Sequence, residues 1–340
     1  MGIKISKSNN SSSRNNSSSS NARSFGFKRH LHSSRSTNRS RMISSNQDND
    51  GSNNRKEEFK YVDGRRYHNV PNLRYHLPND DIEIDRLHLQ HYLTRYIWQS
   101  NYSAPVHELL EHGGKEVRVL DVGCGPGTWI LEMASDYPKT EDFHGTDISS
   151  LFPSAIKPFN SSFSQQNVLE GLNFPDNHFD YVYMRFLMLA FSTEQWKDVV
   201  IPELVRVTKK GGYVEIMEWD VNIYKSGPIT KRLMNSMIAD FRSHNFDDCI
   251  IATIPEFMKE NQMTDIEKDF RDCPQGRYAG KLGSLNLDNA TTIFRMYKPK
   301  FSKEYGMNSE EYDQLIEDFI KEMDTYKSHN KTFRLWGKKL

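Results

Sequence analysis

The sequence reads as an α/β protein: a doubly wound, mostly parallel sheet of seven strands, with a helical cap and a disordered N-terminal tail. Three observations carry that expectation. From residue 117 to residue 220, short apolar and β-branched runs alternate with helix-length stretches, the pattern of parallel strands joined by crossover helices and covered on both faces. The run VRVLDV (117–122) opens directly onto GCGPG (123–127), a turn with three glycines and a proline. At the other extreme, 23 of residues 1–47 are Ser or Asn, nine are Lys or Arg, and none is Asp or Glu. Such a stretch buries too little apolar surface to offset the entropy of ordering it, so residues 1–55 are expected to be disordered.

The 340 residues leave room for one large domain or two small ones. A formal net charge of zero hides an asymmetry: residues 1–56 hold eleven basic and two acidic side chains, leaving 34 basic and 43 acidic ones in residues 57–340. A basic tail on an acidic body points to weak contact with phosphates on a membrane surface or a nucleic acid, or to nothing more than a solvated segment. The opening MGIKIS fits the N-myristoylation pattern at Gly2, and Lys4, Lys7, Arg14, Arg23, Lys28 and Arg29 would supply the second signal that a single acyl chain needs. Cys124, Cys249 and Cys273 are too few and too scattered for a disulfide framework or a tetrahedral metal site. With no secretory signal and no apolar span, the expected location is cytoplasmic, with nuclear or peripheral membrane association left open.

The elements follow in order. NDDIEIDRLHLQHYLTRYIWQ, from residue 79, offers capping oxygens at Asn79 to Asp81 and a stripe of Ile84, Leu87, His91, Tyr92 and Tyr96, which predicts an amphipathic helix. SAPVHELLEH predicts a shorter one, capped by Ser103 with Pro105 in its first turn. Together they make 56–115 an N-terminal helical lid region. Within a core of 116–220, strands are expected at 117–122, 142–148, 162–168, 178–186 and 213–220, with a helix at 128–137. A second helix, 192–210, should start at a Ser192/Gln195 capping box, kink at Pro202 and end at Gly211-Gly212. In 221–340, residues 227–263 and 288–327 read as a helical cap over the carboxyl edge of the sheet, and 264–272 and 331–339 as its last strands.

In an open parallel sheet, ligands bind outside the carboxyl ends of the strands, near the switch in strand order. Glycines there admit positive φ and close approach, with a helix N-terminus just behind. A dinucleotide fingerprint would space its glycines GxGxxG, whereas Gly123-Cys124-Gly125-Pro126-Gly127 is GxGxG, preceded by Asp121. A carboxylate there suits a cation better than a pyrophosphate. With this motif the chain resembles the class I S-adenosylmethionine-dependent methyltransferases, which have a Rossmann-like sheet. By that resemblance Asp121 lies near the ammonium of the methionine moiety, through water, while Gly123, Cys124, Gly125 and Gly127 pass under methionine and ribose. Asp147 matches the acid that binds the ribose hydroxyls, and Ile148 packs on the adenine. Asn167 and Val168 line the adenine edge, and Met184 and Arg185 face the reacting centre. The segments LNFPDNHFDYVYMRF and ELVRVTKKGGYVEIME also resemble the family's later motifs. The upstream block RYHNVPNLRYHLPNDDIEIDRLHLQHYL, followed by SAPV, resembles a fungal branch grouped with trans-aconitate-methyltransferase-like and secondary-metabolism-regulator-like proteins.

The resemblance implies transfer of a methyl group from S-adenosylmethionine to an undefined acceptor, a small molecule or a protein. Two alternatives remain open: a catalytically weak, cofactor-binding regulator that acts through partners, and, less favoured by the glycine spacing, a nicotinamide-dependent oxidoreductase. Met184-Arg185-Phe186-Leu187 stands where base-amine methyltransferases carry an Asn-Pro-Pro-Tyr-like motif, which argues against a nucleic-acid substrate. No general base is evident, and none is required where an activated methyl donor and an aligned acceptor suffice. Upstream, Tyr67, His91, Tyr92 and Tyr102 are candidates for a lid over the cofactor or for core. Glu218 reads as facing the substrate or as a solvated strand end, like Glu215. Oligomeric state and acceptor are not legible.

Overall fold

The computed structural model describes residues 59–62, 64–68 and 78–340. The tail with Gly2 and residues 69–77 of the upstream block lie outside the described residues. A two-stranded antiparallel hairpin comes first, β1 (Phe59–Val62) and β2 (Arg65–His68). This corrects the helical reading of 56–115. The sequence around Asp63-Gly64 carries the two-residue hairpin signal, an Asp-Gly pair between two runs of strand length. Arg65 Nη2 then donates to Asp80 Oδ1 at 2.8 Å, and Asp80 accepts from the Glu83 N–H as N-cap of α1 (Asp81–Trp98). The short α2 (His107–His112) starts after Val106, not at Ser103. The N–H groups of Ser103 and Ala104 donate to Glu215 Oε2 at 2.8 and 2.7 Å, which ties this segment to the sheet and removes Ser103 from capping.

The alternating core follows as β3 (Gly114–Val122), α3 (Thr128–Asp136), β4 (Thr140–Asp147), β5 (Ser161–Gln165) and β6 (Phe179–Arg185). The third core strand, β5, stops short of 168, because Asn167 caps a 3₁₀ turn at Val168–Glu170. The Ser192/Gln195 capping box is present at α4 (Thr193–Gln195), which passes through one π turn, Trp196–Val200, into α5 (Ile201–Val207). Pro202 lacks an N–H, and the irregular turn lies just ahead of it. The helix ends at Val207, so Gly211 and Gly212 lie inside β7 (Thr208–Trp219), at a shift in its register with β6. Then come α6 (Pro228–Ser243), α7 (Ile250–Glu260), β8 (Met263–Pro274), α8 (Gly280–Met296), α9 (Lys298–Tyr305), α10 (Ser309–Tyr326) and β9 (His329–Lys339).

Seven strands form one sheet in the order β5-β4-β3-β6-β7-β9-β8, parallel from β5 to β7, with β9 antiparallel between β7 and β8. The order reverses between β3 and β6, so the turn after β3 opens at the switch point, where a crevice forms. Alternation along the central strands feeds two cores: Leu120, Val182, Met184 and Ile216 on one face, Val119, Tyr181, Tyr183 and Met217 on the other. Trp129 of α3 stacks on Tyr183 with ring centroids 4.3 Å apart. A third cluster joins α6, α8, α9 and α10 and meets Leu189 and Val221, which follow β6 and β7. The cap therefore adjoins the carboxyl ends of the strands. All of this belongs to one unit, Arg55–Leu340.

Helix α1 departs most from its sequence pattern. Tyr92 and Tyr96 are exposed, while Glu83, Arg86, Gln90 and His91 are buried. Arg86 donates to Glu83 Oε1 at 2.6 Å, to Gln90 Oε1 at 2.9 Å and to Asn289 Oδ1 of α8 at 3.2 Å. Polar groups face inward because α1 packs on a polar stretch of α8, and each buried polar group needs a partner.

Candidate functional site

A cavity of about 330 Å³ opens at the switch point, within the range of small-molecule sites. Its floor is the glycine turn. The N–H groups of Gly123 and Cys124 both donate to the Thr146 carbonyl, at 2.7 and 2.9 Å, folding the turn against the end of β4. Gly125 has φ +54 and donates its N–H to Asp147 Oδ2 at 2.8 Å, so bare backbone faces the cavity. Asp147 Oδ1 accepts from the Ser149 N–H at 2.9 Å. Burial pushes the Asp147 carboxyl up, against these N–H donors, and each oxygen keeps lone pairs for a ligand hydroxyl. Ile148, Val168 and Leu169 supply an apolar wall beside it.

Asp121 lies at the end of β3, just outside the wall, 1 % exposed. Neither carboxylate oxygen has a hydrogen-bond partner among the described residues. Burial pushes this carboxyl up to about 7; Arg185 pulls it back down and Asp147 adds to the rise. A buried polar group without a partner is costly unless a ligand supplies one.

The roof comes from α1. His88 Nδ1 and Thr128 Oγ1 are 2.8 Å apart, joining α1 to the first turn of α3. Arg185 Nη1 donates to His91 Nδ1 at 3.0 Å, so the His91 proton sits on Nε2, 2.6 Å from Glu132 Oε2. Burial pushes His91 down to about 4, against the pull of Glu132. It therefore stays neutral and holds the guanidinium. Arg95 forms an ion pair with the other Glu132 oxygen.

Of the residues singled out from the sequence, the structure brings Gly123, Cys124, Gly125, Asp147, Ile148, Asn167, Val168 and Arg185 to one wall. Three depart from their readings. Met184 is fully buried in the apolar core, because strand alternation sends it to the face opposite Tyr183. Gly127 faces Phe163, 2.6 Å from where its Cβ would lie, so it serves helix–strand packing and not the ligand. Asn167 lies on the wall, but its side chain accepts from the Leu169 N–H at 3.1 Å and donates to Glu170 at 2.9 Å.

Tyr102 bonds to Tyr137 at 2.7 Å, away from the cavity. Tyr67 sits in β2, off the cavity wall, and Tyr92 is exposed. Glu215 is not a solvated carboxylate: it accepts from Ser103, Ala104 and Tyr181 and faces Arg334 at 3.6 Å. Glu218 is fully buried as well. Sequence reasoning missed Leu87, Gln90, Leu187, Ala190 and Phe191 on the wall. The only signal for them was their place on the upstream helix and on the loop after β6.

A family model described as a methyltransferase domain matches residues 119–212, which hold the glycine turn, both acids and β6. The chain carries a methyltransferase domain. The secondary metabolism regulator laeA of Coprinopsis cinerea is 32 % identical over 171 residues, 50 % of this chain and 40 % of that one. The methyltransferase pytC of Aspergillus terreus is 33 % identical over 176 residues, 50 % of this chain and 49 % of its own length. The N-methyltransferase verN of Clonostachys rogersoniana is 25 % identical over 276 residues, 78 % of this chain and 92 % of that one. The chain thus spans less than half the length of the first two. The cofactor of such a domain is S-adenosylmethionine, and the site fits it: an unpartnered carboxylate for an ammonium, bare backbone for close approach, and an acid with free lone pairs for a ribose.

Proposed function

We propose that this protein is an enzyme that transfers a methyl group from S-adenosylmethionine to a small-molecule acceptor, a nitrogen nucleophile first among the candidates. The observation that carries the reading is Asp121, a buried carboxylate without a partner at the end of β3. When bound, the sulfonium supplies an activated methyl: the S–CH₃ bond breaks as the acceptor–CH₃ bond forms, and S-adenosylhomocysteine leaves. Asp121 would hold the ammonium through water, Gly123 and Gly125 the methionine and ribose backbone, and Asp147 the ribose hydroxyls. Helix α1, through Leu87, Gln90 and His91, covers the site and excludes water, so alignment does most of the catalytic work.

The titratable groups on the wall favour an acceptor that brings its own lone pair. His91 is engaged at both nitrogens, and Asp147 accepts an N–H at each oxygen. A neutral amine needs no base before attack, and the amine-directed name of verN agrees with this. The purified chain, incubated with S-adenosylmethionine and a panel of small amines, alcohols and carboxylates, should release S-adenosylhomocysteine with at least one amine. Release with an alcohol or a carboxylate alone would move the acceptor to oxygen.

The match to laeA favours a second reading, a regulator that keeps the pocket and works through partners. Tight binding of S-adenosylhomocysteine with no release in any mixture would favour it. For the tail, the same proposal includes contact with an anionic membrane through Gly2 and its basic residues. An unmodified N-terminus in the native cell, read by mass spectrometry, would remove that part.

A further inference from the structure

The wall of the cavity opposite Asp147 is the segment after β6, and its backbone is unusual. Phe186 has φ +58, a left-handed conformation rare for an aromatic residue. Its N–H donates to the Met217 carbonyl at 3.0 Å, and its ring stacks on Trp219 with centroids 5.6 Å apart. The next N–H, that of Leu187, donates to Glu218 Oε1 at 2.7 Å, and the N–H groups of Met188 and Trp219 act on the same carboxyl. Leu187 carries this outward. Its Cδ1 lies 2.4 Å from where a Cβ on Gly123 would stand, so the side chain fills the space that the glycine leaves. Phe186, Leu187, Ala190 and Phe191 all face the cavity.

Glu218 has no exposed surface, its Oε2 has no partner, and no charged side chain among the described residues acts on it. A carboxyl group buried without a counter-charge is expensive to keep. A leucine would pack there without that expense, but it could not accept a main-chain N–H. We propose that Glu218 is a positioning residue, holding Phe186 to Met188 in the conformation that packs Leu187 on the glycine turn and completes this wall.

Glu218 lies outside the cavity, so it takes no part in the chemistry itself. Burial pushes its carboxyl up to about 8, against the three N–H groups. It is therefore protonated at neutral pH, with one oxygen left to accept the Leu187 N–H. Above that pH the proton leaves, and the buried charge favours opening of the segment to water. The functional part of this inference rests on the cofactor reading above; the structural part does not.

The test uses the full chain with E218Q and E218L and two measurements. The first is hydrogen exchange of the segment 185–191 without ligand; the second is calorimetric affinity for S-adenosylhomocysteine from about pH 7 to about pH 9.5. E218Q should keep wild-type exchange and, at about pH 7, an affinity within about threefold of wild type; both lose affinity as the ligand's amino group deprotonates, and wild type should lose about threefold or more beyond E218Q by about pH 9.5. E218L should speed exchange at Leu187 and Met188 and weaken binding, each by about tenfold or more. Wild-type exchange and affinity in E218L, or E218Q as impaired as E218L, overturns the proposal. Should E218L fail to fold, the pH profiles decide: a decline steeper in wild type than in E218Q by about threefold or more supports the anchor, and parallel declines overturn it. Failure of the wild-type chain to bind S-adenosylhomocysteine would overturn the cofactor reading, while the exchange comparison would still decide the anchor.

Discussion

Asp121 ends β3 with both carboxylate oxygens beyond the reach of any donor among the described residues, and burial pushes it up to about 7. An unfolded Asp titrates near 3.9, so between about pH 4 and about pH 7 the folded chain holds a proton that the unfolded chain has lost. This group's contribution to stability therefore falls as pH rises across that window. Binding of a cation has the opposite dependence, because the complex requires the ionised form. Affinity for S-adenosylmethionine should rise with pH up to about 7. D121N should flatten the stability term between those limits and weaken binding about a hundredfold or more, read by melts and calorimetry across the range. Gly125 makes a second prediction. At φ +54 a β-branched side chain is strained and would project into the cavity, so Gly125→Val should lose about tenfold or more in affinity while the chain still melts cooperatively. An unchanged affinity would count against the turn as the cofactor floor.

At the scale of elements, α1 shows how a helix can be read correctly in extent and only in part in face. Its cap at Asp80 and its length follow from local residues. Of the expected stripe, His91 is buried but Tyr92 and Tyr96 are exposed, and the buried side also carries Glu83, Arg86 and Gln90, because its neighbours α8 and α3 present Asn289 and Glu132. Arg86→Met should leave Glu83 buried without its counter-charge and cost about 3–5 kcal/mol, seen as a lower melting temperature and faster amide exchange along α1. His91 adds a pH term. Its folded value of about 4 lies below the unfolded value near 6.5, so its contribution to stability is lost as pH falls through that window. In H91Q this loss should disappear, and the acid limb of the stability profile should differ from wild type only there.

Over the whole molecule, one buried ionic knot ties the sheet to the segment after α1. Arg334 of β9, 1 % exposed, lies over the Trp98 ring at 4.5 Å, donates to the Ser100 carbonyl at 2.9 Å and faces Glu215 of β7 at 3.6 Å. Glu215 in turn holds Ser103, Ala104 and the Tyr181 hydroxyl. The link after α1, the parallel strands and the antiparallel strand β9 thus meet at one charge pair. Glu215→Ala strands the guanidinium, and at about 3–5 kcal/mol it should lower the melting temperature by about 5–8 °C in a single cooperative transition. A separate early transition for the N-terminal part would show instead that the knot does not couple these elements.

The strand alternation, the GxGxG spacing, Asp121 and Asp147 were legible along the chain because each depends on a few neighbouring residues: a period, a turn geometry, an acid at a strand end. The Asp63-Gly64 signal in the sequence was equally local, and the strands β1 and β2 on either side of it were overlooked. Other features were set by which elements meet. Arg185 and His91 are 94 residues apart, Glu215 and Ser103 are 112 apart, and Glu218 becomes an anchor only because the segment after β6 folds over it. Met184 and Gly127 matched the family motif by position, yet the sheet turned one into the core and the other onto Phe163. Burial is a property of the assembled layers, so the side chains whose charge and partners depend on burial were decided only by the tertiary structure.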